Sequence, residues 1–423
     1  MPDAALRELL AAAQIEPTDW PLIAGADPVL PTPYRVGTAG AAALAAFGTA
    51  VARFGELRGL PPQRVAVDLR AAALSLRSAR YLRINGEPLP PVWDPLSDFY
   101  PVQDGWIRTH CNFPNHRAAA LEVLQAPADR RQVEEKARAW AGEALEDAIH
   151  AAGGCAGFVR SAADWQRHAQ AEAVAAQPLI EITRIGDAPP EKPRTAKRPL
   201  AGIRVLDLTR VLAGPTCGKS LAEHGADVLK ISAEHLPDMG LVEMDTGIGK
   251  LSARLDLRTA EGAYILNSLV KQADVFSQSY RPGALAGRGF SPEALAAVRR
   301  GIVCVSLSAW GETGPWRARR GFDSIVQAVS GMAQASGDAN APKLMPVSAI
   351  DYVSGYLMAF GATLALARRA SEGGSWLVRV ALARTSQLPP SSAVRCGSAA
   401  SRRTFHLPSW RSTAPRWNRR SAG

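Results

Sequence analysis

The sequence predicts an α/β fold whose C-terminal half forms a doubly wound parallel sheet. Two observations carry this prediction. Short runs rich in β-branched residues alternate with helical stretches through the C-terminal half, which is the pattern of parallel strands joined by crossover helices. The N-terminal half instead contains a hairpin followed by consecutive helices. The chain therefore has two regions of different architecture.

The C-terminal half accounts for the parallel sheet. Its strands are predicted at 203–208, 227–231, 273–277 and 302–307, and another at 376–382. Helices are predicted between them at 213–224 and 260–271, followed by a long apolar helix at 351–369. Strands separated by helices of this length are typical of βαβ units.

The N-terminal half contains a predicted hairpin at 99–110, with the sequence FYPVQDGWIRTH. Asp104 and Gly105 form a strong turn signal between alternating residues. Helices are predicted at 131–152 and 162–173. The Pro-rich, charged segment 186–199 reads as a surface linker, which divides the chain into 1–185, 186–199, 200–388 and a tail at 389–423.

The net charge of +10 comes mainly from that tail. Residues 389–423 contain seven arginines and no acidic residue, so the rest of the chain has 42 basic against 39 acidic residues. A charge of this origin does not predict nucleic-acid binding by the folded part. Because the tail lacks apolar periodicity, we expect it to be disordered.

Five scattered cysteines favour reduced thiols over a disulfide framework. No apolar run approaches the ~18–20 residues that span a membrane, and the N-terminus lacks the basic and apolar segments of a secretory signal. We therefore expect a cytoplasmic protein without a membrane partner.

An internal repeat is visible at an offset of 313 residues. Leu44, Ala46, Phe47, Gly48 and Ala52 match Leu357, Ala359, Phe360, Gly361 and Ala365, and Val65, Val67 and Leu69 match Val378, Val380 and Leu382. The alternative is two unrelated amphipathic helix–strand units. The shared pattern at a fixed offset favours a duplication.

Seven blocks in the C-terminal half occur in an order that resembles the family III CoA-transferases, the CaiB/BaiF or formyl-CoA/carnitine-CoA transferase family. They are VLDLTRVLAGP (205–215), LAEHGADVLKI (221–231), KLSARLDLRTAEG (250–262), ADVFSQSYRPGAL (273–285), VSLSAWGETGPW (305–316), GFDSIVQAVSG (321–331) and AIDYVSGYLMAFGA (349–362). The N-terminal half resembles the closing half of the same family through VAVDLRAAALSL (65–76), the hairpin and GGCAGFVRSAADW (153–165). The halves thus stand in permuted order, as a truncated tandem duplication would leave them.

The resemblance implies a Rossmann-like large domain with a smaller α/β domain, and a homodimer whose subunits interlock. It also implies transfer of CoA from an acyl-CoA to a carboxylic acid through aspartyl anhydride and aspartyl-CoA intermediates. The implied nucleophile is Asp351. From the local sequence alone, an Asp before an apolar helix is an ordinary N-cap. The repeat places Thr38 at the matching position, so the first unit lacks a nucleophile.

The resemblance implies a CoA site formed by the turn after the first strand together with residues of later loops. The implied residues are Leu212, Ala213, Gly214, Lys250, Ser279, Arg281, Pro282 and Arg320. A solvated surface charge is the alternative for each Arg or Lys. Asp323 is a second catalytic candidate, with a helix N-cap as its alternative. No NAD fingerprint or Walker pattern is present in the sequence, and no metal is expected, since His110, Cys111 and His116 fit no standard zinc spacing.

Two other functions stay open. A related α-methylacyl-CoA racemase would carry a His where Phe322 stands, and Phe cannot act as a base. An inactive CoA-binding scaffold is favoured by departures from the family pattern, which are Ser232, Ala309 and a shielding loop reduced to GDANAPKLMP (337–346).

Overall fold

The computed structural model describes residues 2–17, 19–88, 90, 92–237 and 239–388, and the tail predicted to be disordered lies outside them. The N-terminal half opens with a helical layer. Its elements are α1 (Pro2–Ala12), β1 (Leu22–Ala24), α2 (Val36–Leu57), β2 (Ala66–Asp68), α3 (Leu69–Ser75), a 3₁₀ turn (Ser78–Arg80), β3 (Arg83–Ile84) and β4 (Glu87–Pro88). β1 and β2 pair in parallel.

A small domain follows, in which an antiparallel three-stranded sheet packs against helices. Its elements are β5 (Phe99–Val102), β6 (Gly105–Thr109), α4 (Pro114–Leu124), α5 (Arg130–Ala137), α6 (Gly142–Ala151), β7 (Ala156–Phe158), α7 (Ala162–Arg167) and α8 (Ala169–Ala175). The predicted hairpin is confirmed, because Phe99 of β5 pairs with Arg108 of β6.

The two helices predicted in the small domain are each divided into two. The chain is extended at Ala141, and a Cβ on Gly142 would lie 2.1 Å from the Phe158 ring. The later of these two helices, α6, thus begins where the chain packs against Phe158 of β7. At the other break, His168 is extended and its ring Nδ1 accepts a hydrogen bond from the Gln170 N–H, so it caps α8.

The C-terminal half contains the predicted parallel sheet. After β8 (Glu181–Gly186) come β9 (Arg204–Leu208), α9 (Ala213–Glu223), β10 (Asp227–Ser232), α10 (Leu241–Gly247), β11 (Leu251–Arg254), α11 (Ala260–Val270), β12 (Val275–Gln278), a 3₁₀ turn (Ala286–Arg288), α12 (Pro292–Val298), β13 (Val303–Ser308), α13 (Asp323–Val329), α14 (Met332–Ser336), α15 (Ala349–Glu372), β14 (Ser375–Ala381) and α16 (Leu382–Thr385). The strand order is β11-β10-β9-β12-β13-β14-β8. Every neighbouring pair is parallel except β14 with β8.

Both faces of the inner part of this sheet are buried. Successive residues of the inner strands alternate between two apolar clusters, so that Val205 faces the cluster of α2, α9 and α15 while Leu206 faces the cluster of α11 and α12. Val275 and Phe276 divide in the same way. This alternation follows from the two-residue period of a strand, and burial on both faces is usual for parallel sheets.

The repeat has a counterpart in three dimensions. α2 and α15 begin 313 residues apart, at Val36 and Ala349, and α3 and α16 begin at the same offset. A Cβ on Gly48 would lie 2.9 Å from Val65, and a Cβ on the matching Gly361 would lie 2.6 Å from the matching Val378. The two units therefore share a close glycine–valine contact between helix and strand.

The domain boundary differs from the predicted one. β8 ends at Gly186 and belongs to the C-terminal sheet, although it precedes the linker. The segment 187–199 is also held against that domain, since the Glu191 N–H donates to the Arg369 carbonyl at 3.1 Å and the Gly374 N–H donates to the Ala188 carbonyl at 2.9 Å. The linker is thus part of the surface of the C-terminal domain.

Two helices in the described part of the chain are long and apolar enough to cross a membrane by length and composition, contrary to the expectation from the sequence. They are α2 and α15, and 78% and 100% of their most apolar windows are buried inside the protein. They form the core contact between the two halves, which accounts for their composition.

Candidate active site

Asp351 lies in the first turn of α15 rather than at its N-cap position, which Ser348 occupies. Its side chain is 9% exposed and reaches two cavities, one of about 620 Å³ and one of about 450 Å³. We call them the arginine-rich cavity and the second cavity. Phe322, Val211 and Leu212 also line both. A carboxyl at the junction of two cavities is accessible to two different ligands.

Asp323 positions the start of α15. Its Oδ2 accepts a hydrogen bond from the Asp351 N–H at 3.1 Å, and its Oδ1 accepts one from the Gln327 side-chain amide. The Gln327 Oε1 in turn accepts from the Met345 N–H at 2.8 Å. The N-cap alternative for Asp323 is wrong, because Phe322 is the N-cap of α13 and Asp323 is its first residue.

Both buried carboxyl groups have raised pKa values. Burial raises the pKa of Asp323 to about 6. Burial, and then the nearby charge of Asp323, raise the pKa of Asp351 well above its usual value. Two buried acids that share a site commonly behave in this way, and the Asp351 carboxylate therefore forms only as the pH rises.

The arginine-rich cavity gathers most of the residues predicted for CoA. Leu212, Ala213, Ser279, Arg281, Pro282 and Arg320 line it together with Asp351. Gly214 lies just behind the turn, where a Cβ would come within 2.3 Å of Thr209. The Ser279 Oγ accepts from the Arg210 N–H at 3.0 Å and so fixes the same turn.

Lys250 does not lie with the other predicted residues. Its ammonium donates to Asp207 Oδ2 at 2.7 Å and to the Pro215 carbonyl at 2.8 Å. The two side chains are only 2% and 0% exposed, and Lys250 lines neither cavity. Lys250 is thus placed to neutralise a buried carboxylate beneath α9.

Several lining residues were not identified from the sequence. Arg210, Arg317 and Arg319 add three guanidinium groups to the arginine-rich cavity, and Phe113, Asn115 and His116 reach it from the small domain. Across the described ranges, Arg319 pairs with Asp147 at 2.5 Å, whereas Arg210, Arg281, Arg317 and Arg320 have no carboxylate partner. Arg210 stands inside a motif quoted above, so it could have been found. The small-domain residues carry no local signal.

Phe322 is stacked on His110, with the ring centroids 3.7 Å apart. His110 is 2% exposed, and burial lowers its pKa to about 3. The place where a racemase would carry a base is therefore an aromatic pair. Within the described residues no group of three or more His, Cys, Asp or Glu side chains is suited to a metal.

The N-terminal copy of the repeat keeps the aspartate that holds the start of the long helix, but it lacks the nucleophile. Asp27 Oδ1 and Oδ2 accept from the N–H groups of Gly37 and Thr38 at 3.1 and 2.8 Å, as Asp323 accepts from Asp351. The sequences Gly25-Ala26-Asp27 and Gly321-Phe322-Asp323 correspond as well. The shorter spacing between Asp27 and Thr38 hid this equivalence in the sequence.

Known proteins resemble the chain as follows. The profile of CoA-transferase family III matches residues 200–388. An acetyl-coenzyme A transferase, nodX, of Hypoxylon pulicicidum is 37% identical over 46% of this chain and 34% of its own length. An acyl-CoA transferase of Gibberella moniliformis is 28% identical over 82% of this chain and 69% of its own. The β subunit of a succinyl-CoA–L-malate CoA-transferase of Chloroflexus aurantiacus is 34% identical over 44% and 50%.

These matches differ in extent. The chain spans only a third of the Hypoxylon protein and half of the Chloroflexus protein. The Gibberella match covers so much of this chain that it extends to both sides of the segment joining the two halves. An acyl-CoA transferase with related sequence on both sides of that segment therefore exists.

Proposed function

We propose that the chain, whose residues 200–388 match the profile of CoA-transferase family III, transfers CoA from an acyl-CoA to a free carboxylic acid, with Asp351 as the nucleophile. The observation that carries the proposal is the location of the Asp351 carboxyl at the junction of the two cavities. One cavity can hold CoA while the other holds the acid.

The proposed reaction has four balanced steps. The Asp351 carboxylate attacks the thioester carbonyl, which forms a mixed anhydride and releases the CoA thiolate. The thiolate attacks the aspartyl carbonyl, which gives an aspartyl-CoA thioester and frees the first acid with one oxygen from Asp351. The acceptor carboxylate then displaces CoA to form a second anhydride. Attack of the thiolate on the acceptor carbonyl releases the new acyl-CoA and restores the carboxylate.

Asp323 acts in this proposal as a positioning residue. Its hydrogen bond from the Asp351 N–H holds the first turn of α15. The N-terminal end of that helix carries a partial positive charge, which favours a carboxylate and the oxyanions formed from it. The charge of Asp323 opposes ionisation of Asp351, so it lowers the fraction of Asp351 that is present as the nucleophilic carboxylate.

The arginine-rich cavity supports CoA binding. CoA carries a pyrophosphate and a phosphate on its ribose. Guanidinium groups recognise phosphates through paired hydrogen bonds. Four of the arginines that line the cavity have no carboxylate partner in the described part of the chain, so their charge is available to a ligand. We propose Leu212, Ala213, Ser279, Arg281, Pro282 and Arg320 as contacts, with neither NAD nor a metal taking part.

Trapping of the intermediate tests the proposal. The protein is incubated with acetyl-CoA, succinyl-CoA and longer acyl-CoAs, treated with hydroxylamine, and its peptides are analysed by mass spectrometry. We expect a hydroxamate on Asp351, absent in Asp351→Asn and retained in Asp227→Asn, whose side chain is exposed and lines neither cavity. Absence of an adduct with every donor, or undiminished transfer by Asp351→Asn, would reject the mechanism.

A cytoplasmic homodimer without a nucleic-acid or membrane partner stays a prediction. The four cysteines of the described ranges are free and buried, which supports a reducing compartment. Light scattering of the purified protein measures the oligomeric state, and fractionation of the source cells measures the location.

A further inference from the structure

Four aromatic rings meet where the two cavities adjoin, beside Asp351. Phe322 lines both cavities together with Asp351. His110 is stacked on Phe322 from the side of the second cavity, with the ring centroids 3.7 Å apart and the ring planes 11° apart. On the side of the arginine-rich cavity, the rings of Phe113 and His116 each lie 5.7 Å from that of Phe322. These four rings, which we call the aromatic wall, therefore stand between one cavity and the other.

The two halves of the chain build the aromatic wall together. Three of its rings come from the small domain, whereas Phe322 is the N-cap of α13 in the C-terminal half. The His110 N–H donates to the Cys155 carbonyl at 3.0 Å. Two residues after Cys155, a Cβ on Gly157 would lie 3.0 Å from the Ile325 side chain of α13. The small domain thus packs closely enough on α13 to hold His110 against Phe322.

The rings of the aromatic wall are uncharged, and the three from the small domain are buried. His110 is 2% exposed, Phe113 5% and His116 6%. Burial lowers the pKa of His110 to about 3 and that of His116 to about 4, so both imidazoles are neutral at neutral pH. Rings stacked at 3.7 Å are in van der Waals contact and leave no room for a water molecule between them.

The segment 337–346, which the resemblance implies as a shield, is a closed turn beside α14. The Ala341 N–H donates to Asp338 Oδ1 at 2.9 Å, and the Lys343 N–H donates to the Ala333 carbonyl at 3.0 Å. None of its residues, all of which the structure describes, lines the arginine-rich cavity, although its last part lines the second cavity. On the arginine-rich side of the site, the rings of the aromatic wall stand in its place.

Water competes with transfer once a mixed anhydride has formed on Asp351. Attack of water on the acyl carbonyl breaks its bond to the Asp351 oxygen, which gives the free acid and restores the Asp351 carboxyl group. One proton of the water passes to the thiolate, and CoA leaves as the thiol. This hydrolysis consumes the acyl-CoA without transfer.

We propose that the aromatic wall keeps water from the anhydride on Asp351, so that transfer rather than hydrolysis follows. The proposal rests on the CoA transfer proposed above. It gives the small domain of the N-terminal half a part in that reaction, because a ring at His110 closes the site. The stacked ring of His110, and not its nitrogen atoms, is what the proposal requires.

The ratio of hydrolysis to transfer tests the proposal on the full chain. Acetyl-CoA is the donor, succinate, butyrate and benzoate are the acceptors, and mass spectrometry measures free CoA and the new acyl-CoA. We expect His110→Ala and Phe322→Ala to raise the ratio about tenfold or more, because each opens the wall to water. His110→Phe keeps a stacked ring without the imidazole and should restore the wild-type ratio. Phe99→Ala is the control, since it removes a half-buried ring of the small domain that lines neither cavity.

An unchanged ratio in folded His110→Ala and Phe322→Ala would overturn the inference. So would a ratio in His110→Phe as high as that in His110→Ala, because the imidazole and not the stacked ring would then be what matters.

Hydrogen exchange at the first turn of α15, measured without acyl-CoA, separates the aromatic wall from the proposed function. Faster exchange in His110→Ala than in the wild type and His110→Phe supports the wall even in a protein that transfers no CoA. Equal exchange in all three proteins rejects the wall and leaves CoA transfer intact.

Discussion

Lys250 provides a direct test of whether a residue predicted to bind CoA instead stabilises the fold. Its ammonium contacts Asp207 and the Pro215 carbonyl, and both charged side chains are almost fully buried. Among the described residues, replacement of Lys250 by Met would leave the Asp207 carboxylate with only the Thr209 N–H and hydroxyl as donors. Removal of one partner of a buried ion pair costs about 3–5 kcal/mol, a large part of the ~5–15 kcal/mol that holds a domain together.

Urea unfolding measures this loss directly. Lys250→Met should lower the free energy of unfolding by about 3–5 kcal/mol. The double variant Asp207→Asn with Lys250→Met should recover most of it, because the neutral amide still accepts from Thr209. Lys271→Met, at an exposed position, should stay within about 0.5 kcal/mol of wild type.

Kinetics of the same variants decide the function of the residue. Since Lys250 lines neither cavity, folded Lys250→Met should keep its KM for acyl-CoA. A variant that is as stable as wild type but has a KM raised tenfold or more would refute the structural role and return Lys250 to the CoA site.

Two other substitutions test the aspartates that hold the starts of α15 and α2. Asp323→Asn removes the charge that helps to raise the pKa of Asp351, so the acid limb of the pH–rate profile should move to lower pH; an unchanged or higher limb contradicts the coupling. Asp27→Ala removes the acceptor for two N–H groups at the buried start of α2 and should cost about 1–3 kcal/mol in urea unfolding. Its effect on transfer by the folded protein should be small, and a large loss there would contradict a purely structural role.

Local patterns predicted the elements of the parallel sheet well and the environments of single residues poorly. The five strands predicted for the C-terminal half lie within two residues of their predicted bounds, because their apolar runs are continuous, whereas the edge strands β8 and β11 were not predicted. The helix predicted at 131–152 divides before Gly142, where a Cβ would lie 2.1 Å from the Phe158 ring, and the sequence of the helix does not reveal that contact. Lys250 shows the same limit, since its sequence neighbours do not reveal that Asp207 lies 2.7 Å away.

The candidate site was predictable to the extent that it is contained in one stretch of chain. Asp351 and the cavity residues between 212 and 320 stand in contiguous motifs. Arg77 and Arg80 reach the second cavity from the N-terminal half, across more than 270 residues of sequence. The packing of α2 against α15 and the hydrogen bonds that Ser78 and Ala79 form with the Tyr352 hydroxyl bring them there.

The two units differ in their capacity for chemistry, and Thr38→Asp tests why. Thr38 matches Asp351, its N–H is held by Asp27 as that of Asp351 is held by Asp323, and it is 3% exposed. Thr38 lines neither the arginine-rich cavity nor the second cavity. A carboxylate there would be buried beside Asp27 with no space for a thioester.

We therefore expect Thr38→Asp to lose several kcal/mol of stability, as buried charges without partners do, and to be modified by acyl-CoA at Asp351 alone. Thr38→Ser, which keeps the hydroxyl, serves as the control for packing at this position. A hydroxamate at residue 38 after trapping would refute the argument, because it would mean that the aspartate alone, and not the cavities around it, separates an active unit from an inactive one.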